Sequence, residues 1–275
     1  MIRAIKKKSQ GVLLFAAALL TACSSEDVDI VQQQTWHVSI PVDESHATRS
    51  VFTADGGASL KSKWTSNQSV EAYSGDTKVG DLTAAENASG GSTTIIGDIS
   101  GTYTAGVSTL TLYSPAMPTS ATHNEYATQD GTIDGENGIS KHDYLKANIN
   151  VTAVDGNSGV LLTSNASFQR LQSFTKFTFS VAVKEVVISA TGMDDITVTA
   201  STDQTDFYVA LPLEGSKEYT FVCTTNGGEE YRATKAGNLV NGNYYIATVS
   251  VATGLGVSNT SPWGENHTEN TTIYF

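Results

Sequence analysis

The chain has 275 residues and a formal net charge of −12, with 16 Lys and Arg against 28 Asp and Glu. An acidic chain of this kind is a poor nucleic-acid binder, because phosphate contacts need clusters of Lys and Arg. Only two cysteines are present, so a fold held together by several disulfides is excluded and stability has to come from buried apolar side chains.

The first 22 residues have the layout of an export signal. Basic residues between Arg3 and Lys8 precede an apolar run over 11–20, which is shorter than the roughly 20 residues that a membrane-spanning helix needs. The run ends in Leu-Thr-Ala-Cys at 20–23, which resembles the lipobox of bacterial lipoproteins. The resemblance implies cleavage before Cys23 and acylation of that residue, so that membrane lipid becomes a partner. The alternative is an ordinary signal peptide that happens to contain a cysteine.

A polar tether is predicted over 23–35, either as a solvated spacer or as a surface-export signal, because its residues are acidic and show no periodicity. The next stretch alternates, with Trp36, Val38, Ile40 and Val42 on one face, which predicts a half-buried strand. Since proline cannot donate to a strand ladder, Pro41 predicts that this is an edge or terminal strand.

The rest of the chain reads as short strands between turns rich in Gly, Asn and Ser. A first set of strands is predicted at 69–73, 78–82, 93–99, 109–113 and 147–163, the last being a hairpin. Residues 115–143 are predicted to form a long polar loop. A second set of strands is predicted at 177–183, 186–188, 196–200, 207–211, 219–231 and 244–251. With no sustained helical periodicity, the pattern predicts an all-β fold, with one β-sandwich over 36–163 and a second over 164–275.

The sequence offers few groups that could carry chemistry. The five histidines are scattered without metal-ligand spacing, and no nucleophile motif is present. Cys223 shares a strand face with Phe221, which favours a buried, unreactive thiol over a nucleophile. We therefore expect no catalytic residue, no metal and no cofactor, and a protein that is not an enzyme.

Two further features each allow two interpretations. Residues 130–138 are rich in carboxylates and glycines, as in a calcium loop, but Lys141 stands where a bidentate glutamate is needed, so a plain acidic loop is the alternative. Four aromatic residues could either grip sugars on the surface or pack in the core. They are Tyr73, Tyr103, Tyr126 and Trp263.

The whole chain resembles the fimbrillin family, the lipoprotein-derived subunits of type V pili. The resemblance rests on motifs that are weak singly but occur in the family's order. They are the lipobox at 20–23, Ala47-Thr48-Arg49-Ser50-Val51-Phe52, Leu110-Thr111-Leu112-Tyr113-Ser114-Pro115, His142-Asp143-Tyr144-Leu145-Lys146-Ala147, Phe168-Gln169-Arg170-Leu171 and Leu239-Val240-Asn241-Gly242-Asn243-Tyr244-Tyr245-Ile246. Arg170 stands where the family often has a histidine.

This resemblance implies two transthyretin-like antiparallel β-sandwich domains and a structural or adhesive fimbrial subunit at the cell outer membrane. It also implies an extracellular Arg-specific protease that cuts between Arg49 and Ser50 and thereby removes the first strand. A strand of another fimbrial subunit would then refill the groove, and the tail residues Ile273, Tyr274 and Phe275 are the candidate donor.

Three alternatives remain open from the sequence. Arg49 could be an ordinary loop residue in a protein that stays a lipid-anchored monomer. The protein could instead be a lipid-anchored, surface glycan-binding protein of a polysaccharide uptake system. A surface hydrolase is a third possibility, although no recognisable pair of catalytic carboxylates supports it.

Overall fold

The computed structural model describes residues 34–42, 64–85, 93–118 and 123–253, and the backbone of 53–55, 59–61 and 257–259. The predicted all-β class is confirmed, because these residues form strands and two short 3₁₀ turns but no α-helix. Within this part of the chain, no helix is long and apolar enough to cross a bilayer.

The strands are numbered in chain order. They are β1 (Thr35–Pro41), β2 (Thr53–Asp55), β3 (Ser59–Lys61), β4 (Ser69–Ser74), β5 (Thr77–Ala84), β6 (Thr94–Ser100), β7 (Thr109–Ser114), β8 (Thr128–Gln129), β9 (Leu145–Asp155), β10 (Val160–Thr163), β11 (Gln169–Arg170), β12 (Ser173–Ser189), β13 (Ile196–Leu211), β14 (Gly215–Thr224), β15 (Glu230–Leu239), β16 (Tyr244–Val249) and β17 (Val257–Asn259).

The first sheet has the order β10-β1-β6-β5-β4-β7-β9-β11, and β2 and β3 form a separate two-stranded ribbon. Strand β10 also pairs with β9 through their hairpin, so seven of the eight strands close into a ring. In such a ring each strand has a neighbour on both sides, which removes the free edges that an open sheet would present.

The alternating sequence pattern explains how the first core forms. In β1 and β9 every second residue is buried over most of the strand, because successive side chains point to opposite faces. The buried faces meet in one apolar cluster, in which Trp64 and Phe168 pack edge to face with their ring centroids 5.3 Å apart.

The second sheet has the order β17-β15-β14-β12-β13-β8, and β16 pairs in parallel with the first half of β12. Strands β12 and β13 are longer than the sequence predicted, since each runs continuously through what we expected to be two strands. Register shifts between Thr178 and Glu185 bend the pairing of β12 with β13 without ending either strand. Rings of Phe177, Phe179 and Phe221 meet in its core.

The stretch that we predicted as a long polar loop contributes to the second sheet. Strand β8 pairs in parallel with β13, and Tyr126 and Ile139 are buried in the second core. The side chain of Gln129 is buried as well, and it accepts from the N–H of Ala210 and donates to the carbonyl of the same residue, both at 2.9 Å. Isolated apolar residues at irregular spacing carry no periodic signal, so sequence patterning missed this packing.

A buried polar network lies between the first sheet and this stretch. The guanidinium of Arg170, in β11, donates through Nε to Oδ1 of Asp143 at 2.9 Å, and Gln172 donates to the same oxygen at 2.8 Å. The hydroxyl of Tyr126 donates to Oε1 of Gln172 at 2.9 Å. Two of the motifs that carry the family resemblance, those containing Asp143 and Arg170, thus meet in an ion pair whose two side chains are at most 3% exposed.

Gly97 occupies a special position in β6. It lies between Val38 of β1 and Leu82 of β5, and its φ is +151°, a conformation that residues with a side chain rarely adopt. A Cβ at this position would lie 2.8 Å from Cδ2 of Leu82. Close packing of the strands at this point therefore requires glycine.

We expect Gly97→Ala to destabilise the fold by about 2–4 kcal/mol, because the new methyl group clashes with Leu82 and strains the backbone. Urea unfolding followed by tryptophan fluorescence would measure the loss. Gly156→Ala is the matched control, since a Cβ there meets no atom within 4 Å. Equal stability of the two variants would contradict this account of β6.

Candidate functional site

The predicted first strand, β1, is a central strand of the first sheet. It pairs antiparallel with β6 along its whole length, from Thr35 opposite Ser100 to Pro41 opposite Thr94. On its other side it pairs in parallel with β10, with His37 opposite Val160 and Val38 opposite Leu161. We call the space between β6 and β10 that this strand fills the β1 slot.

The face of β1 that alternation predicted to be buried lies in the first core. The exposed fractions of its four side chains are 3% for Trp36, 0% for Val38, 0% for Ile40 and 6% for Val42. Burial of apolar side chains this size contributes about 1.5–3 kcal/mol each, as an upper estimate. The opposite face carries exposed polar residues, such as His37, whose Nδ1 lies 3.0 Å from Oδ1 of Asp98.

Hydrogen bonds hold both ends of the strand. At the start, the indole Nε1 of Trp36 donates to the carbonyl of Gly101 at 2.9 Å, and the N–H of Gly101 donates to the carbonyl of Gln34 at 3.0 Å. At the end, the N–H of Ala166 donates to the carbonyl of Pro41 at 2.8 Å. The slot therefore fixes the register as well as the face of the strand that fills it.

The prediction that Pro41 marks an edge strand was wrong. Backbone N–H groups of successive residues point to opposite neighbours. That of His37 donates to Gly159 on the β10 side, and that of Val42 donates to Thr93 on the β6 side. The missing N–H of Pro41 therefore faces the β10 side, beyond Val38, the last residue that pairs with β10. A central strand tolerates this proline because regular pairing with β10 stops at Val38, and the segment after β10 then contacts Pro41 through its carbonyl, which accepts from the N–H of Ala166.

The other predicted site residues lie outside the described part of the chain. These are the lipidation residue Cys23, the processing residues Arg49 and Ser50, and the candidate donor residues Ile273, Tyr274 and Phe275. Their roles stay predictions. What the structure provides is the position of β1, which directly precedes the segment that contains Arg49.

Sequence reasoning missed three groups of the β1 slot: Gly97, the carbonyl of Gly101 and the N–H of Ala166. A glycine inside the strand pattern of β6 was the available signal for Gly97. No residue-type pattern identifies the two backbone groups, because any residue carries them.

The candidate calcium loop is held together by its own side chains. The carboxylate of Asp130 accepts from the N–H and hydroxyl of Thr132, at 2.9 and 2.7 Å, and from the N–H of Asn137 at 3.0 Å. These donors use the oxygens that a cation would need. Among the residues that the structure describes, no group of three or more His, Cys, Asp or Glu could hold a metal ion.

Two of the four aromatic residues that could have bound sugars are buried. Tyr103 and Tyr126 are buried, while Tyr73 is half-buried and its hydroxyl donates to Oε2 of Glu71 at 3.0 Å. Trp263 lies outside the described residues. Tyr73 and Tyr113 form an edge-to-face pair with centroids 5.6 Å apart, so packing accounts for their positions.

Cys223 lies fully buried in the second core as a free thiol. Burial raises the pKa of the thiol to about 12, because the charged thiolate is poorly solvated in an apolar surrounding. The thiol therefore stays protonated at neutral pH, and the protonated form is a poor nucleophile.

Comparison with known proteins gives structural but no sequence matches. No family model matches the chain, and no curated protein matches it. Among solved structures, it is similar to the tip fimbrial protein Mfa3 from Porphyromonas gingivalis with a C-terminal truncation, at 9% identity, covering 79% of this chain and 98% of that one with a TM-score of 0.37. It is also similar to a fimbrial assembly protein from Parabacteroides distasonis, at 13% identity, covering 78% and 90% of the two chains with a TM-score of 0.35.

We expect Val38→Asp to destabilise the first sheet by about 3 kcal/mol or more, because it places an unpaired carboxylate in the core. Ser39→Asp is the control on the exposed face of the same strand and should change stability by less than about 0.5 kcal/mol. Thermal unfolding of both variants measures the difference. Similar losses in the two variants would show that β1 does not bury this face in solution.

We expect Cys223 to be unreactive in the folded protein at pH 8, because its raised pKa keeps the thiol protonated and its burial excludes reagents. The measurement is reaction with a chromogenic disulfide reagent, using a form without the first 33 residues so that Cys223 is the sole cysteine. The thiol should react at once after unfolding in guanidinium chloride. Fast reaction of the folded form would contradict the packing of β14.

Proposed function

We propose that this protein is a structural and adhesive subunit of a surface fimbria, exported as a lipoprotein and assembled by protease-triggered donor-strand exchange. The observation that carries the proposal is the position of β1, a strand that completes the first core and directly precedes the segment containing Arg49. The sequence resemblance to fimbrillins supports it independently, through motifs in the family's order from the lipobox to the closing strand motif near Tyr244.

The chemistry of assembly would begin with peptide-bond cleavage between Arg49 and Ser50 by an extracellular Arg-specific protease. Cleavage there leaves β1 attached to the rest of the protein only by its hydrogen bonds and its four buried side chains. Departure of the strand would open the ring between β6 and β10. It would expose the unpaired backbone groups of these two strands and the apolar side chains of the first core. Such an opening is unstable in water and is closed by strand addition.

The candidate donor is the tail that follows β17 and ends in Ile273, Tyr274 and Phe275. An extended chain spans at most about 3.3–3.6 Å per residue, so the 16 residues after Asn259 could bridge about 50 Å. That is far enough to enter a neighbouring subunit.

The remaining parts of the proposal follow from the same scheme. Acylated Cys23 would hold the unprocessed protein in the outer membrane, and cleavage would release it to the growing fimbrium. The two cores would belong to two transthyretin-like β-sandwich domains, divided near 163 and 164. The function needs no catalytic residue, metal or cofactor from this chain.

The test is Arg49→Ala in cells that make the fimbria. The native protein should mature to a chain that begins at Ser50, lacks lipid and forms ladders resistant to mild SDS. Arg49→Ala should keep acylated Cys23 and stay monomeric, because β1 remains covalently attached. N-terminal sequencing and intact mass of the surface protein give the readout.

Arg232→Ala is the matched control, since this arginine is exposed and pairs with Glu230 at the surface, far along the chain from the processing segment. It should mature and assemble like the native protein. Normal assembly of the Arg49→Ala variant would overturn the proposal. Deletion of 273–275 tests the donor separately, and normal polymers from that truncated protein would rule the tail out.

A further inference from the structure

The second sheet pairs the strand through which the chain enters it with a strand through which the chain leaves. Strand β12 directly follows the connection from the first sheet, and β16 is the last strand before β17. The two lie side by side and parallel, with six residue pairs from Phe174 opposite Tyr244 to Phe179 opposite Val249. The chain therefore reaches this ladder at one end and departs from it at the other.

Hydrogen bonds extend the contact between the two strands beyond both ends of the ladder. Before it, the N–H of Gly242 donates to the carbonyl of Gln172 at 2.8 Å. After it, the N–H of Val251 donates to the hydroxyl oxygen of Ser180 at 3.0 Å. The two segments are thus joined without a break from Gln172 to Ser180.

The ladder is shielded on its core side and supported from behind. The side chains of Phe177, Phe179, Ala247 and Val249 lie in the second core and are at most 3% exposed, so water reaches these bonds poorly from that side. On its other edge, β12 pairs with β13 through its first six residues. Among the strands that the structure describes, β16 pairs with β12 alone. The ladder is therefore the contact that holds β16 in the sheet.

The direction of a pull decides how this ladder breaks. Tension applied before β12 and after β16 draws two parallel strands in opposite directions along their length, so that all the bonds between them carry the load together. A pull that separates the two starting ends opens the bonds one after another instead. Forced unfolding follows the height of the barrier and not the equilibrium stability, so one fold can resist the first pull and yield to the second.

We propose that the β12–β16 ladder is a mechanical clamp, which keeps the second sheet folded while tension runs along the chain. The idea that a fimbria supplies this tension rests on the proposed function, whereas the clamp is a property of the isolated protein. Strand β17 lies beyond the clamp and pairs with β15 at three positions, so we expect it to detach first and pass the load to β16.

The test is single-molecule force spectroscopy on the full chain carrying Cys23→Ser, pulled between two introduced cysteines. Cys223 is buried and does not compete for the handles. Gln169→Cys with Ser250→Cys loads the ladder along its length, and Gln169→Cys with Val240→Cys peels β12 from its start. All three of these positions are exposed. We expect a high-force unfolding event in the first form and its loss in the second.

Urea unfolding of the two forms is the control, since equal stability leaves the direction of the pull as the difference between them. The high-force event in the first form alone would support the clamp. Equal unfolding forces in the two directions would overturn it.

A matched pair of proline variants tests which bonds carry the load. The carbonyl of Asn243 accepts from the N–H of Phe174, so alternate residues of β16, including Ala247, face β12. Ala247→Pro removes one N–H from the ladder and should abolish the high-force event. Thr248→Pro removes an N–H that faces away from β12 and should keep it. A folded Ala247→Pro protein that still shows the event would contradict the clamp, and if this variant does not fold, the two pulling directions decide.

The outcomes also separate the clamp from the proposed function. Low force in both directions removes the clamp and leaves assembly by strand exchange standing. Normal assembly of Arg49→Ala removes the proposed function and leaves a measured clamp in place.

Discussion

The two-sided pairing of β1 is the constraint on which the first sheet depends. A strand held by β6 on one side and β10 on the other closes the ring, supplies four side chains to the core and leaves no free edge near it. Hydrogen bonds to Gly101 and from Ala166 also hold its two ends.

The second sheet is built differently. Its longest strands are β12 and β13. The first half of β12 pairs with β16 and the second half pairs with β14. The buried ion pair of Asp143 with Arg170 adds a directional contact at the point where the chain passes from one sheet to the other. Removal of one partner of such a pair is strongly destabilising, because it leaves an uncompensated charge in the interior.

The candidate site illustrates how much a pattern can predict. Alternation from Trp36 to Val42 identified the buried face correctly, because a period of two is a direct consequence of strand geometry. The same reasoning failed for Pro41, because whether a strand has one neighbour or two depends on partners distant in the sequence. The hairpin within 147–163 was predicted from the sequence, and the structure has it between β9 and β10.

What the sequence by itself determined is the all-β class, the buried face of β1 and the burial of Cys223, since each follows from local alternation and turn chemistry. Only the tertiary structure decided that β1 is central, that the first sheet closes through β9 and β10, and that Tyr126 and Ile139 belong to the second core. These features depend on which strands meet across long stretches of chain. Local patterns record which face of a strand is apolar, but not the neighbour that covers its edge.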